Sequence, residues 1–139
     1  MSHPIQNLNV LLASMEPTLN EGVYYFATLE DNQNLPLTEL IATIRENEGL
    51  SVVVTEQVAK QYALNVQFKA AWITLTVHSD LAAVGLTAAF AKALGEENIS
   101  CNVVAGNFHD HIFVPYEKAE LAMATLRTLQ RVSAENSQK

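Results

Sequence analysis

Apolar positions near the N-terminus recur at helical spacing and then give way to shorter, strand-like runs. Ile5, Leu8 and Leu12 fall on one helical face, and this helix should end before Pro17. Further on, β-branched and aromatic runs are separated by polar turns, a pattern typical of strands. The predicted elements of the first half are a helix ending before Pro17, a strand at 23–29, a polar loop at 30–36, a hairpin of 40–45 and 50–54, and a short helix capped by Thr55.

The second half contains the clearest strand signal of the chain. Aromatic and β-branched residues dominate 72–77. Apolar residues from Leu86 to Leu94 then recur with the period of a helix, which Asp80 can cap. The remaining predicted elements are a strand at 99–105, a loop at 106–110, a strand at 111–114 stopped by Pro115, and an amphipathic helix from Ala119 that should fray after Ser133.

The order of these elements indicates an internal duplication. Residues 5–78 are predicted as helix, strand, strand, strand, helix, strand, and residues 72–131 as strand, helix, strand, strand, helix. We therefore expect two α+β units that share or exchange the strand at 72–78. Because no strand is predicted after the last helix, the second unit should have an open edge through which two copies pair as a homodimer. The alternative is that the two units of one chain pair with each other.

Composition and charge exclude several classes of function. The 139 residues are 49% hydrophobic and 17% charged, which is typical of a packed globular protein. Cys101 is the one cysteine, and no basic segment precedes an apolar run at the N-terminus, so we expect a cytoplasmic protein without disulfides. The apolar segment 81–94 is shorter than the ~18–20 residues that span a bilayer, which argues against a membrane protein. A net charge of −7 with scattered basic residues argues against a nucleic-acid partner.

Three stretches of the second half, 73–88, 99–106 and 109–115, carry a resemblance to a known family. In this order and spacing they resemble small bacterial proteins with two tandem ACT domains, which are amino-acid-binding regulatory domains like those of aspartokinases. The first half is similar to the companion domain through 42–46 and 48–51. The resemblance implies an α+β, ferredoxin-like βαββαβ fold with antiparallel sheets and helices on one face. It also implies an N-terminal ACT-like unit at 1–68 and a C-terminal ACT domain at 69–139.

The resemblance implies a non-enzymatic protein without a cofactor, which binds a small molecule, in most relatives an amino acid, and regulates an enzyme or transporter. The implied ligand-binding residues are Ser79, Asp80, Val84, Gly85 and Leu86 in the loop after the first strand, and Ser100, Cys101 and Asn102 on the second strand. Several of them also have a purely structural interpretation. Asp80 can be a helix cap, Gly85 a close-packing position, and Cys101 a small buried hydrophobic residue.

Two further functions stay open at this point. An open sheet edge favours a protein–protein interaction module whose ligand site has decayed. His78, His109, Asp110 and His111 are the residue types that suit Zn²⁺ or Ni²⁺, or an enzyme active site, but their spacing is poor for a metal. Turn hydrogen bonds account for the same residue types, so we predict no metal site and no catalytic residues.

Overall fold

The computed structural model describes residues 4–77 and 85–138 of the chain. Most of the expected helices and strands are present, although several bounds differ. The elements in chain order are α1 (Pro4–Ser14), β1 (Glu16–Leu19), β2 (Tyr24–Leu29), β3 (Ala42–Glu46), β4 (Gly49–Thr55), α2 (Glu56–Gln61), β5 (Val66–Thr76), α3 (Leu86–Glu96), β6 (Asn102–Ala105), β7 (Asp110–Pro115) and α4 (Ala119–Ser137).

All seven strands belong to one antiparallel sheet, in the order β3-β4-β2-β5-β7-β6, and β1 also pairs with β5. The 11-residue strand β5 is central to this arrangement. Its first part pairs with β2 through Ala70, its second part pairs with β7 from Ala70 to Leu75, and its end pairs with β1. The strand β5 is therefore shared by both units, but its part that pairs with the first unit, 66–70, lies before the predicted bounds of 72–78, and 72–76 pairs with β7 and β1.

Each unit follows the ferredoxin-like pattern, in which the last strand of βαββαβ pairs with the first. In the first unit, β5 closes against β2, and a loop with a short 3₁₀ turn at Leu37–Glu39 replaces the first helix. In the second unit, β1 pairs with β5 and takes the place of the missing last strand. The expected open edge beside β5 is therefore wrong, because an N-terminal segment fills it. In the described part of the chain the free edges at the two ends of the sheet are β3 and β6.

Local signals explain where several elements begin and end. Thr55 caps α2 as predicted, since its Oγ1 accepts a hydrogen bond from the Val58 N–H at 3.2 Å. Pro17 follows the end of α1 as predicted, but it lies inside β1, a strand that the sequence pattern did not indicate. Helix α4 continues to Ser137, so the prediction of fraying after Ser133 is wrong. Ser133 is 3% exposed, so the helix packs against the protein as far as this residue, whereas residues 135–138 are exposed.

The four helices lie on one face of the sheet and bury two groups of apolar residues. The larger core lies under α1, α3 and α4 and includes Ile73, Phe90 and Leu126. The smaller core lies under α2 and includes Val52 and Val54. The other face carries no helix among the described residues. The sheet curls towards this face, so that β3 and β6, at its opposite ends, both contribute to one aromatic cluster.

Candidate functional site

The two described residues of the predicted ligand loop lie at the start of α3. Gly85 precedes the helix with a φ of +93°, a left-handed conformation that favours glycine, and its carbonyl accepts a hydrogen bond from the Ala89 N–H at 3.0 Å. Leu86 is buried in the larger core at 4% exposure. A Cβ on Gly85 would stand 3.5 Å from a methyl of Leu8, so α1 covers this glycine. The predicted residues Ser79, Asp80 and Val84 lie outside the described residues.

Of the three residues predicted on the second strand, Ser100 and Cys101 precede β6 and Asn102 is its first residue. The expected strand at 99–105 begins only at Asn102, because Ile99 closes the end of α3 through its N–H bond to the Leu94 carbonyl at 3.0 Å. Ser100 is exposed, and the Nδ2 of Asn102 donates a hydrogen bond to the Phe113 carbonyl at 3.2 Å. Cys101 is half-buried against the larger core, and this burial raises the pKa of its thiol to about 11.

Two described parts of the predicted site lie at opposite ends of α3. Gly85 and Leu86 begin this helix, whereas Ser100 follows shortly after its end. At 1.5 Å per residue, the 11-residue helix separates them by roughly 16 Å. A ligand of amino-acid size therefore cannot touch Leu86 and Ser100 of the same chain.

The helix-free face of the sheet holds a hydrogen-bonded histidine. The Trp72 Nε1–H donates to Nδ1 of His111 at 3.0 Å, and the Thr74 hydroxyl lies 3.2 Å from the same nitrogen. Asn20 in turn donates to the Thr74 hydroxyl at 2.9 Å. Because an indole N–H can only donate, Nδ1 of His111 must be unprotonated. Burial and the nearby His109 lower the pKa of His111, against a smaller opposing effect of Asp110.

His111 also lines a small cavity between the two units. Ile41 and Ala42 of the first unit face Trp72, Val104 and His111 of the second across a space of about 60 Å³. A water molecule occupies about 30 Å³ in the liquid, so this cavity is too small for an amino acid. Trp72 is packed between other rings: Tyr24 meets it edge to face with centroids 5.3 Å apart, and Phe113 is stacked on it. The residues around this cavity therefore form the contact between the two units, and the cavity itself is not a ligand site.

The histidines considered as metal ligands are close together but do not form a described metal site. The rings of His109 and His111 are 6.3 Å apart between centroids. Within residues 4–77 and 85–138, no group of three His, Cys, Asp or Glu side chains is arranged to hold a metal ion. His78, the remaining member of the predicted cluster, lies outside the described residues. The imidazole of His111 is instead held by Trp72 and Thr74.

A larger cleft lies between β1 and α4, where the sequence pattern did not indicate a site. Its volume is about 700 Å³, within the range typical of small-molecule sites. Residues from Glu16 to Leu19 form one wall, and α4 residues including Met123 and Arg127 form the other. The cleft was missed because β1 itself was not predicted. Had β1 been recognised, the charged residues of α4 that face it would have been the available signal.

Over residues 4–77 and 85–138, none of the helices combines the length and apolar character needed to cross a bilayer.

Comparison with known proteins gives the family. Two family models, each described as an ACT domain, match residues 3–71 and 67–128. A solved structure from Vibrio cholerae, described as a protein of unknown function and possible transport protein, is 47% identical, with a TM-score of 0.80. The alignment covers 92% of this chain and 99% of that chain. The chain belongs to the ACT-domain family and carries two such domains in tandem. The predicted family and fold class are confirmed.

More distant structures share the same fold. A protein from Agrobacterium tumefaciens is 19% identical over 84% of this chain and 89% of that chain, with a TM-score of 0.65. The ligand-free regulatory subunit of aspartate kinase from Thermus thermophilus is 10% identical over 81% of this chain and 95% of that chain, with a TM-score of 0.58. Among proteins of curated function, none matches this sequence. The likeness to the aspartate kinase subunit concerns the fold alone.

Proposed function

We propose that this chain is a non-enzymatic regulatory protein of the ACT type that binds a free amino acid. The observation that carries the proposal is the pair of ACT-domain matches, which together extend over residues 3–128. ACT domains are regulatory modules that typically bind small ligands. Aspartate kinase regulatory subunits, which share the fold, suggest an amino acid as the ligand. The chain would then act by changing its contacts with an enzyme or transporter when the amino acid binds.

The proposed binding residues are those of the loop at 79–86 and the segment at 100–102. Because α3 separates Gly85 and Leu86 from Ser100 within one chain, we propose that a second copy completes each site. Strand β6 is a free edge of the sheet, and Val103 on this strand is 37% exposed. Pairing of two β6 strands about a two-fold axis would satisfy both edges and build a homodimer.

Light scattering tests this assembly directly. A homodimer has twice the chain mass of 15.3 kDa at micromolar concentration. A mass near 15.3 kDa would instead mean that the two units of one chain form a self-contained pair. In that case Gly85 and Leu86, at the start of α3, could not share a ligand with Ser100, which lies beyond its end.

Thermal unfolding in the presence of the common amino acids tests the binding proposal. An amino acid present at 100 times its dissociation constant adds about 2.7 kcal/mol to the free energy of unfolding, which raises Tm by several degrees. The Asn102→Ala variant should lose this shift, while Asn107→Ala, an exposed asparagine of the β6–β7 loop, should keep it. No stabilisation by any amino acid at millimolar concentration would refute the proposal.

Exposed apolar side chains favour a second candidate, a protein–protein interaction module. Phe108, in the loop between β6 and β7, is 82% exposed, and Leu37 is 81% exposed. Aromatic side chains such as that of Phe108 are enriched at protein interfaces. This function predicts a stable complex with a partner protein that is lost in Phe108→Ser and kept in the matched variant Asn107→Ser. A complex unaffected by Phe108→Ser would contradict it.

A further inference from the structure

We propose that the cleft between β1 and α4 is a separate binding site for a free α-amino acid. The inference rests on the proposed function, because it takes the same class of ligand, but it assigns a different site. The cleft lies along the outer side of β1, away from β5, and is walled by α4. None of the predicted residues at 85–86 and 100–102 lines it.

The backbone of β1 offers free hydrogen-bonding groups to this cleft. The Asn20 N–H donates to the Trp72 carbonyl of β5 at 2.9 Å. Backbone groups of successive strand residues point alternately to the two sides of the strand, so the N–H and carbonyl of Leu19 and the carbonyl of Pro17 point away from β5. In the described part of the chain, β1 pairs with no strand other than β5. One donor and two acceptors are therefore available at this edge.

The side chains of the cleft provide both charges that a zwitterion needs. Arg127 lines the cleft from α4, is exposed, and forms no ion pair within 4.0 Å among the described residues. A guanidinium group suits the bidentate binding of a carboxylate. Glu16 lies on the opposite wall, and its Oε2 accepts a hydrogen bond from Gln130, which is three residues beyond Arg127 on α4. Glu120 lines the same cleft two helical turns before Arg127, so carboxylates are available for an ammonium group.

The same edge disfavours a peptide strand as the ligand. Strand addition depends on a regular row of backbone donors and acceptors along the free edge. Pro17 has no N–H, so the four-residue strand β1 presents a single outward donor, that of Leu19. A small zwitterion needs only one donor and one acceptor beside the charged side chains. The cleft therefore fits a free amino acid better than an extended chain.

Site-resolved NMR on the full chain tests the inference. The common amino acids are titrated one at a time into ¹⁵N-labelled protein while the Leu19 amide resonance is followed. We expect at least one amino acid to shift this resonance in a saturable way, and its methyl ester, which lacks the carboxylate, not to do so. Arg127→Gln should weaken the response about ten- to hundredfold. Arg131→Gln, on the same helix but paired with Glu135, is the matched control and should respond like the native protein.

The outcomes separate this inference from the proposed function. If other amides shift with an amino acid while Leu19 does not, the cleft is refuted and the proposed function stands. A Leu19 response that survives Arg127→Gln, or one lost equally in Arg131→Gln, also refutes the cleft. If no amide shifts with any amino acid, both proposals fail. Both arginines are exposed, so an unchanged Tm of each variant without ligand will show that neither fold is disturbed.

Discussion

The hydrogen bond between Trp72 and His111 should contribute measurably to the stability of the fold, because it links β5 to β7 beside the cavity. His111→Phe keeps a planar ring of similar size beside the cavity but removes the acceptor for the Trp72 Nε1–H. Trp72→Phe removes the donor instead, and it leaves His111 with the Thr74 hydroxyl as a partner. The two single variants and the double variant form a cycle that isolates the interaction.

The expected size of the interaction follows from its surroundings. A buried donor left without an acceptor costs about 1–3 kcal/mol, and both side chains here are only half-buried, which favours the lower end. We therefore expect His111→Phe to lower the free energy of unfolding by about 1 kcal/mol. The double variant should lose less unfolding free energy than the two single variants together, by about 0.5–1.5 kcal/mol. The reason is that the unpaired donor is then absent as well.

Urea denaturation followed by circular dichroism measures all four free energies, and it does not depend on the fluorescence of Trp72. The control cycle pairs Trp72→Phe with Gly95→Ala, a change within α3 at a position with open space around it. Its two changes should be additive within about 0.3–0.5 kcal/mol. Additivity in the His111 cycle as well would refute the claim that this hydrogen bond stabilises the fold.

Three further predictions follow from the described contacts. Because burial lowers the pKa of His111 below its ordinary 6.5, the unfolded state binds the proton more readily than the folded state. The free energy of unfolding should therefore fall as pH drops below about 6.5, and it should fall less in His111→Phe. Urea titrations across this pH range measure the difference. Gly85→Ala, at a φ of +93°, should cost about 1–3 kcal/mol, whereas Gly95→Ala, within α3 and with open space around it, should stabilise by up to about 1 kcal/mol; equal effects in urea denaturation would contradict this. Thr55→Ala should cost about 1 kcal/mol in the same assay by removing the cap bond to Val58, and Thr55→Ser should restore most of it.

The sequence pattern predicted those elements whose signals are local. The hairpin of β3 and β4, the cap at Thr55 and the apolar stripe of α3 depend on neighbouring residues, and the structure has each of them. The first part of β5 was missed because Val66 and Gln67 are exposed and its alternation there is weak. Helix α4 was predicted too short because its residues after Ser133 are mostly polar and exposed, so no apolar periodicity marks this part of the helix in the sequence.

The largest error concerned the closure of the second unit. Strand β1 has four residues and contains a proline, so nothing in its own sequence distinguishes it from a turn. Pro17 of β1 pairs with Leu75, which is far away along the chain. The hydrophobic pattern of the sequence does not reveal such a long-range pairing. The open edge and the cleft beside α4 were both misjudged for this one reason. The separation of Gly85 from Ser100 was missed because the strand at 99–105 was expected to begin three residues too early.

Calorimetric titration of the purified full chain with free amino acids is the most direct test of the central claim, that this tandem ACT protein binds an amino acid. We expect saturable heat with at least one amino acid, none with its methyl ester, and a stoichiometry that reports the number of sites per chain. Protein that shows neither heat nor a change in Tm with any of them at millimolar concentration would contradict the account.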